Sequence, residues 1–189
     1  MKRIIAFIGK AGAGKDSVAK VLHQQLPNSH MMVSCTTRPK RDYEVEGVDY
    51  YFLTGEEFAQ KVLANEMLEA TCFNEWFYGT PVDTLQDGWN IGVFNPTGIE
   101  SLMDYAKNRI DVLLYPFYIQ ASDKTRLMRQ LTREEDPDVK EIIRRYSADE
   151  MDFADIDDNI LPIYIINNDG DTTIQDVVDE ILPWAQEHS

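Results

Sequence analysis

The sequence predicts an α/β fold: a parallel sheet flanked by helices, with an α+β insertion. Three observations predict it. Residues 3–36 read as strand, Gly-rich loop, helix, strand, which is the order a parallel βαβ unit requires. Residues 37–86 break that rhythm with a stretch rich in Tyr and charge. The strand–helix alternation then resumes and runs to the end of the chain. At 189 residues the chain suits a single domain with a substantial buried core.

In order, "RIIAFI" at 3–8 is a short β-branched strand bounded by Gly9. "KDSVAKVLHQQL" at 15–26 places Val18, Val21, Leu22 and Leu26 at helical spacing, and Pro27–Asn28 ends the run. "HMMVSCT" at 30–36 reads as a second strand. In the insertion, short strands are expected around Tyr50–Phe52, Glu66–Thr71 and Tyr78–Pro81, with one helix over about Gly55–Asn65. Beyond it come a strand at "WNIGVF", a helix over about Thr97–Asn108, a strand at "IDVLLYPFYI" and a helix over about Ser122–Leu131. A polar connector, "TREEDPD", leads to a helix over about Val139–Phe153, then a strand at "ILPIYII" and a helix over about Thr173–Glu187. The expected division is a core of 1–36 and 87–189 and an insertion of 37–86.

A formal net charge of -15 argues against a nucleic-acid-binding protein, which needs a basic footprint. Most of the 18 Lys and Arg residues nevertheless fall in two segments, 1–41 and 124–145, as a protein that holds a small polyanion would arrange them. Cys35 and Cys72 lie far apart, and His23, His30 and His188 do not cluster, so no structural metal is expected. The apolar run in "MKRIIAFIGK" is too short for a signal-peptide core, and no stretch is long enough to span a bilayer. These readings predict a cytoplasmic protein with reduced thiols and neither membrane nor nucleic-acid partners; they leave the oligomeric state open.

"GKAGAGKDS", Gly9–Ser17, carries the chemistry of the first half. G-x-x-x-x-G-K after a strand and before a helix makes a phosphate cradle of inward main-chain N–H groups at a helix N-terminus. Glycine permits the tight turns, and Lys15 can reach the outer phosphates. Gly9, Gly12, Ala13, Gly14, Lys15, Asp16 and Ser17 are the candidate phosphate-binding residues. Asp16 stands where a Ser or Thr hydroxyl commonly helps to hold Mg²⁺. As a hard oxygen donor it is a candidate metal ligand itself.

"SCTTRPKRDYEVEGVDYYF", Ser34–Phe52, carries the second half. Arg38 and Arg41 are two guanidinium groups three residues apart in a loop after a strand, suited to bidentate phosphate recognition. The Tyr50 phenol is placed to reach the same phosphate.

This stretch resembles the guanylate kinase family. The matching pattern is T-T-R-x-x-R-x-x-E-x-x-G-x-D-Y-x-F over Thr36–Phe52, followed by Leu68–Glu69 and Tyr78–Gly79–Thr80. Looser similarity covers almost the whole chain. The resemblance implies a P-loop nucleoside monophosphate kinase that moves the γ-phosphate of ATP, with Mg²⁺, to GMP or dGMP. It further implies that Arg38, Arg41, Tyr50 and Tyr78 hold the GMP phosphate, while Ser34, Glu69 and Thr80 read guanine. Lys15, Arg41, Arg133 and Arg144 would act on the transferring phosphate, and Arg129 and Asn167 would complete the ATP side. A carboxylate at Glu69 only accepts hydrogen bonds, so it suits the N1–H and N2 amine of guanine and finds no N1 donor on adenine.

Two segments depart from the family's pattern. The D-x-D-x-x-G strand end appears as "VFNPTG", with Val93 and Asn95 in place of the acids, and the short lid that the resemblance places at about 132–138 lacks the usual Arg-Gly-Thr turn. The first departure suggests that Asp16 partly replaces the missing acids in placing Mg²⁺. The alternatives are a kinase for another (deoxy)nucleoside monophosphate and a non-catalytic guanylate-kinase-like binding module.

Overall fold

A computed structural model describes residues 1–41, 44–73, 75–133, 135–154, 156 and 164–188. The elements in chain order are β1 (Lys2–Ile8), α1 (Lys15–Gln25), β2 (Ser29–Met31), β3 (Cys35–Thr36), β4 (Tyr51–Phe52), α2 (Gly55–Leu63), β5 (Met67–Phe73) and β6 (Trp76–Pro81). A 3₁₀ turn at Val82–Thr84 follows. Then come β7 (Gly88–Val93), α3 (Pro96–Lys107), β8 (Val112–Gln120), α4 (Asp123–Thr132), α5 (Val139–Asp152), β9 (Tyr164–Asn167) and α6 (Ile174–Glu187). Most expected elements are present to within the one or two residues by which such ends are ordinarily defined. Residues 160–163 of the expected last strand, and Glu134 of the expected lid, lie outside the described residues.

The core is a five-stranded parallel sheet in the order β2-β7-β1-β8-β9. Central β1 is buried on both faces, and its side chains divide between two apolar layers. Ile5 and Phe7 pack with Val18 and Leu22 of α1 and Val178 and Ile181 of α6. Ile4, Ala6 and Ile8 pack on the other face with Ile99 and Leu102 of α3, Leu68 of the insertion and Phe153. This two-sided burial explains why β1 reads as an unbroken apolar run rather than an alternating one. The chain enters on β1, goes to one side for β2 and β7, and then crosses to the other side for β8. The loop after β1 therefore lies where the strand order reverses, the place where open α/β sheets hold ligands.

The insertion forms its own four-stranded sheet, β4-β3-β6-β5. β3 runs parallel to β4 and antiparallel to β6, and β5 pairs antiparallel with β6. Here the single strand expected over 30–36 is corrected: it is two strands in two different sheets. Ser29–Met31 pairs with β7 in the core, and Cys35–Thr36 pairs with β4 and β6 in the insertion. The Ser34 carbonyl already accepts from Tyr51 N–H of the second sheet. Helix α2 starts with a capping box, Thr54 and Glu57, and its buried Phe58 stacks on Phe77 of β6 at 5.5 Å.

Candidate active site

The Gly-rich loop is shaped by contacts that only glycine tolerates. Gly12 and Gly14 have φ of 82° and 95°, in the left-handed region. A Cβ on Gly12 would lie 2.5 Å from the Arg126 carbonyl oxygen of α4, and one on Gly14 would lie 2.6 Å from Asn168 Nδ2. Gly9 lets the chain leave β1 against the Ile119 carbonyl, where a Cβ would sit 2.4 Å away. Gly14 caps α1, so the loop opens onto that helix's N-terminus. Lys15 Nζ donates to the Lys10 carbonyl at 3.3 Å. Burial lowers the Lys15 pKa, against the pull of Asp16 and Asp149 in the other direction. Ala13 is buried, and Asp16 and Ser17 are exposed on the first turn of α1.

Arg129 of α4 donates to the Gly12 and Ala13 carbonyls at 3.5 and 3.4 Å and to Asn168 Oδ1 at 3.4 Å. Asn168 is fully buried and donates to the Ala13 carbonyl at 2.8 Å. Asn167, expected on the ATP side, is an exposed member of β9 paired with Gln120. The contact with the loop belongs to its neighbour because alternate positions at a strand end face opposite ways.

The second group converges across the insertion sheet. A register shift in β5 between Met67 and Glu69 sets Glu69 opposite Thr80 of β6. Thr80 Oγ1 donates to Glu69 Oε1 at 2.8 Å, and Ser34 Oγ lies 2.9 Å from Thr80 Oγ1. Burial pushes the Glu69 carboxyl up to about 7, partly opposed by hydrogen bonds from Thr80. Gly98 lets α3 approach it closely: a Cβ there would lie 3.4 Å from Glu69 Oε2. Asn95, one of the two departures at that strand end, is the N-cap of α3. It accepts from Gly98 N–H at 2.7 Å and reaches Thr71 of β5 at 3.3 Å.

Arg38 lies over the faces of Tyr50 and Phe52, 5.1 and 5.6 Å from the ring centroids. It forms a two-pronged ion pair with buried Glu44, whose carboxylate also accepts from Arg41 N–H at 2.9 Å. Tyr50 and Tyr78 meet edge-on at 6.1 Å. Glu44 is the functional candidate that sequence reasoning passed over, although it is the acid of the T-T-R-x-x-R-x-x-E pattern. The two groups face one another. Asp16 and Tyr78 help burial to push the Tyr50 phenol up to about 12, and Arg144 of α5 feels Tyr78. Lys20 of α1 pairs with Asp49 of the insertion at 3.3 Å.

The remaining cations are less free than their sequence positions imply. Arg144 and Arg145 both bind Glu141, at 2.7 and 2.8 Å, and hold its carboxyl down at about 2. Arg133 caps the C-terminus of α4. Arg126, on the face of α4 toward the loop, is buried among three carboxylates.

A parallel sheet with a phosphate loop at its reversal point, faced by a second sheet carrying paired arginines and tyrosines, defines the class of P-loop nucleotide-binding proteins with an acceptor-side insertion. The family model described as Guanylate kinase matches residues 1–183, and the chain belongs to that family. It is 32% identical over 187 residues to a guanylate kinase of Thermobifida fusca, covering 96% of this chain and 89% of that one. A guanylate kinase of Symbiobacterium thermophilum is 42% identical over 78 residues, a match spanning 41% of this chain and 37% of the relative. A crystal structure of guanylate kinase from Anaplasma phagocytophilum shares the fold at a TM-score of 0.70. That match has 21% identity and covers 99% of this chain and 86% of the other. No helix among the described residues is long and apolar enough to cross a membrane.

Proposed function

We propose that the protein is a guanylate kinase, transferring the γ-phosphate of ATP to GMP or dGMP. The observation that carries this is the Ser34–Thr80–Glu69 hydrogen-bond chain of the insertion, a carboxylate and two hydroxyls, in a chain that also carries the Gly-rich phosphate loop. Gly9, Gly12, Ala13, Gly14, Lys15 and Ser17 would wrap the ATP phosphates. Arg129 and Asn168 shape that loop from behind. Arg38, Arg41, Tyr50 and Tyr78 would hold the acceptor phosphate. Glu69 would accept from guanine N1–H and N2, with Thr80 and Ser34 completing the base site. A wrong base leaves these buried polar atoms unpaired, which is a strong basis for rejection.

Phosphoryl transfer asks for alignment, exclusion of water and charge neutralisation rather than covalent chemistry from the protein. Arg38, its two terminal nitrogens held by Glu44, would offer its remaining N–H groups to the acceptor phosphate in a fixed orientation. Lys15 would turn from the Lys10 carbonyl to the transferring group. Arg41, Arg133 and Arg144 would approach it from the acceptor side and from the lid. Closure of the 37–86 insertion and the 132–138 lid would expel water from the cleft.

The residues present fit Mg²⁺ carried in with ATP, a cation that binds through one or two carboxylates together with phosphate oxygens and waters. Asp16 is an exposed carboxylate on the first turn of α1, close enough to Lys15 and Tyr50 to act on both. It would hold the ion, which supplies charge neutralisation between the phosphates. We place the protein in the cytoplasm on the same reading.

The test is ADP release with ATP and Mg²⁺ against GMP, dGMP, AMP, UMP, CMP and dTMP. Turnover confined to GMP and dGMP supports the proposal, and turnover with another monophosphate overturns the base assignment. No turnover and no ATP binding would leave a binding module.

A further inference from the structure

Beneath the Gly-rich loop lies a polar network that the proposed chemistry does not use. Its centre is Arg126 of α4, whose side chain is 1% exposed. The guanidinium binds Asp123 Oδ1 at 2.7 Å, Asp149 Oδ2 at 3.2 Å and Glu150 Oε1 at 3.3 Å. Tyr146 of α5 lies face-on to it at 5.0 Å, and the Tyr146 hydroxyl donates to Asp123 at 2.8 Å. Arg126 Nε is buried without a hydrogen-bond partner among the described residues.

Two of the three carboxylates also hold the loop. Asp149 accepts from the main-chain N–H of Ala11 at 2.6 Å, and Glu150 pairs with Lys10 Nζ at 2.7 Å. The Arg126 carbonyl is the atom against which Gly12 turns, and Gln130 of the same helix donates to the Ala11 carbonyl at 3.4 Å. Loop residues 10, 11 and 12 are thus each tied to this one cluster. Lys15 feels both Asp149 and Arg126.

Two carboxylates this close to a polyphosphate cradle would repel ATP if left uncompensated, and a loop without them would lose its anchors. A buried guanidinium reconciles the two demands, because its fork reaches several carboxylates at once and stays charged at any working pH. We propose that Arg126 is a positioning residue for ATP: through Asp149 and Glu150 it fixes the Gly-rich loop in its phosphate-receiving shape and cancels their charge there. The inference rests on the ATP reading of that loop. It assigns to Arg126 no contact with either nucleotide, and the acceptor site lies outside its network.

The test compares equilibrium binding of ATP and of GMP, by calorimetry on the full chain, for Arg126→Met and for Arg126→Met combined with Asp149→Asn and Glu150→Gln. Arg126→Met strands two charges beside the loop and should weaken ATP binding by at least about tenfold while leaving GMP within about twofold. The triple variant removes the repulsion and keeps an acceptor oxygen for Ala11 N–H, so ATP affinity should return to within about twofold of the unaltered protein. A purely structural role would lower the melting temperature without separating the two nucleotides. Loss of GMP and ATP binding together, an unchanged ATP affinity in Arg126→Met, or no recovery in the triple variant each overturn the inference.

Should Arg126→Met fail to fold, Arg126→Lys keeps the charge and loses the fork. It should then weaken ATP several-fold and GMP not at all, and equal effects on both ligands would overturn the inference. Absence of ATP binding by the unaltered protein would instead overturn the ATP reading itself, and this inference with it.

Discussion

Thr80 Oγ1 donates to Glu69 Oε1 at 2.8 Å across two strands that a register shift in β5 brings into line. The hydroxyl satisfies one carboxylate oxygen, and Gly98, having no side chain, lets α3 pack close to the other. Burial holds the Glu69 carboxyl at about 7, far above its ordinary 4.5.

That raised value predicts a pH dependence with a definite sign. Guanine needs the ionised carboxylate as acceptor, so GMP binding should weaken as pH falls through 7. At pH 6 only about a tenth of the sites are ionised, and the apparent Kd should rise about tenfold over its value at high pH. Glu69→Gln, which does not titrate, gives the baseline for titration of the GMP phosphate itself. A Kd ratio between variant and unaltered protein that stays constant from pH 6 to 8 would contradict this.

The same carboxyl bears on stability. Its folded-state pKa lies above the unfolded one, so the folded state binds more protons and loses stability as pH rises from about 4.5 to about 7. Glu69→Gln should therefore raise the midpoint of urea unfolding at pH 8 relative to the unaltered protein and lose that advantage at pH 4.

Glu44 fixes Arg38 and the Arg41 main chain at once. Glu44→Ala frees the Arg38 fork and leaves a half-buried cation unpaired. Steady-state kinetics should show the KM for the monophosphate rising by about tenfold or more, with the KM for ATP unchanged. An equal rise in both would place the effect on folding rather than on the acceptor side.

Asn167 and Asn168 are adjacent and chemically identical but differ in burial. Asn168→Ala removes the donor to the Ala13 carbonyl and should cost about 1–3 kcal/mol in urea unfolding. Asn167→Ala, at an exposed strand position, should stay within about 0.5 kcal/mol.

The contrast between those two asparagines shows where sequence reasoning reaches and where it stops. The phosphate loop was legible because its function depends on local backbone geometry, which Gly9, Gly12 and Gly14 announce. The residues proposed for the acceptor side stand in the sequence as a spaced pattern from Thr36 to Phe52. The split of 30–36 between two sheets was not, since an extended run carries the same alternation whichever sheet receives it. The side of a strand end that meets the loop turns on one residue, so the loop contact of Asn168 beside exposed Asn167 is not readable from sequence. Arg126 looked like one more cation in a basic segment. Its burial depends on Asp149 and Glu150, which arrive from another helix, and no local period reveals that meeting.

Glu69 is proposed to read the guanine edge by accepting from two donors. The most direct measurement is kcat/KM for GMP against IMP, which keeps N1–H and lacks the N2 amine, at pH 8 with saturating ATP and Mg²⁺. IMP should fall below GMP by about 100-fold or more, because half of the carboxylate's pairing is lost in a buried site. The gap should shrink to within about tenfold in Glu69→Ala. Equal use of GMP and IMP by the unaltered protein would contradict this reading.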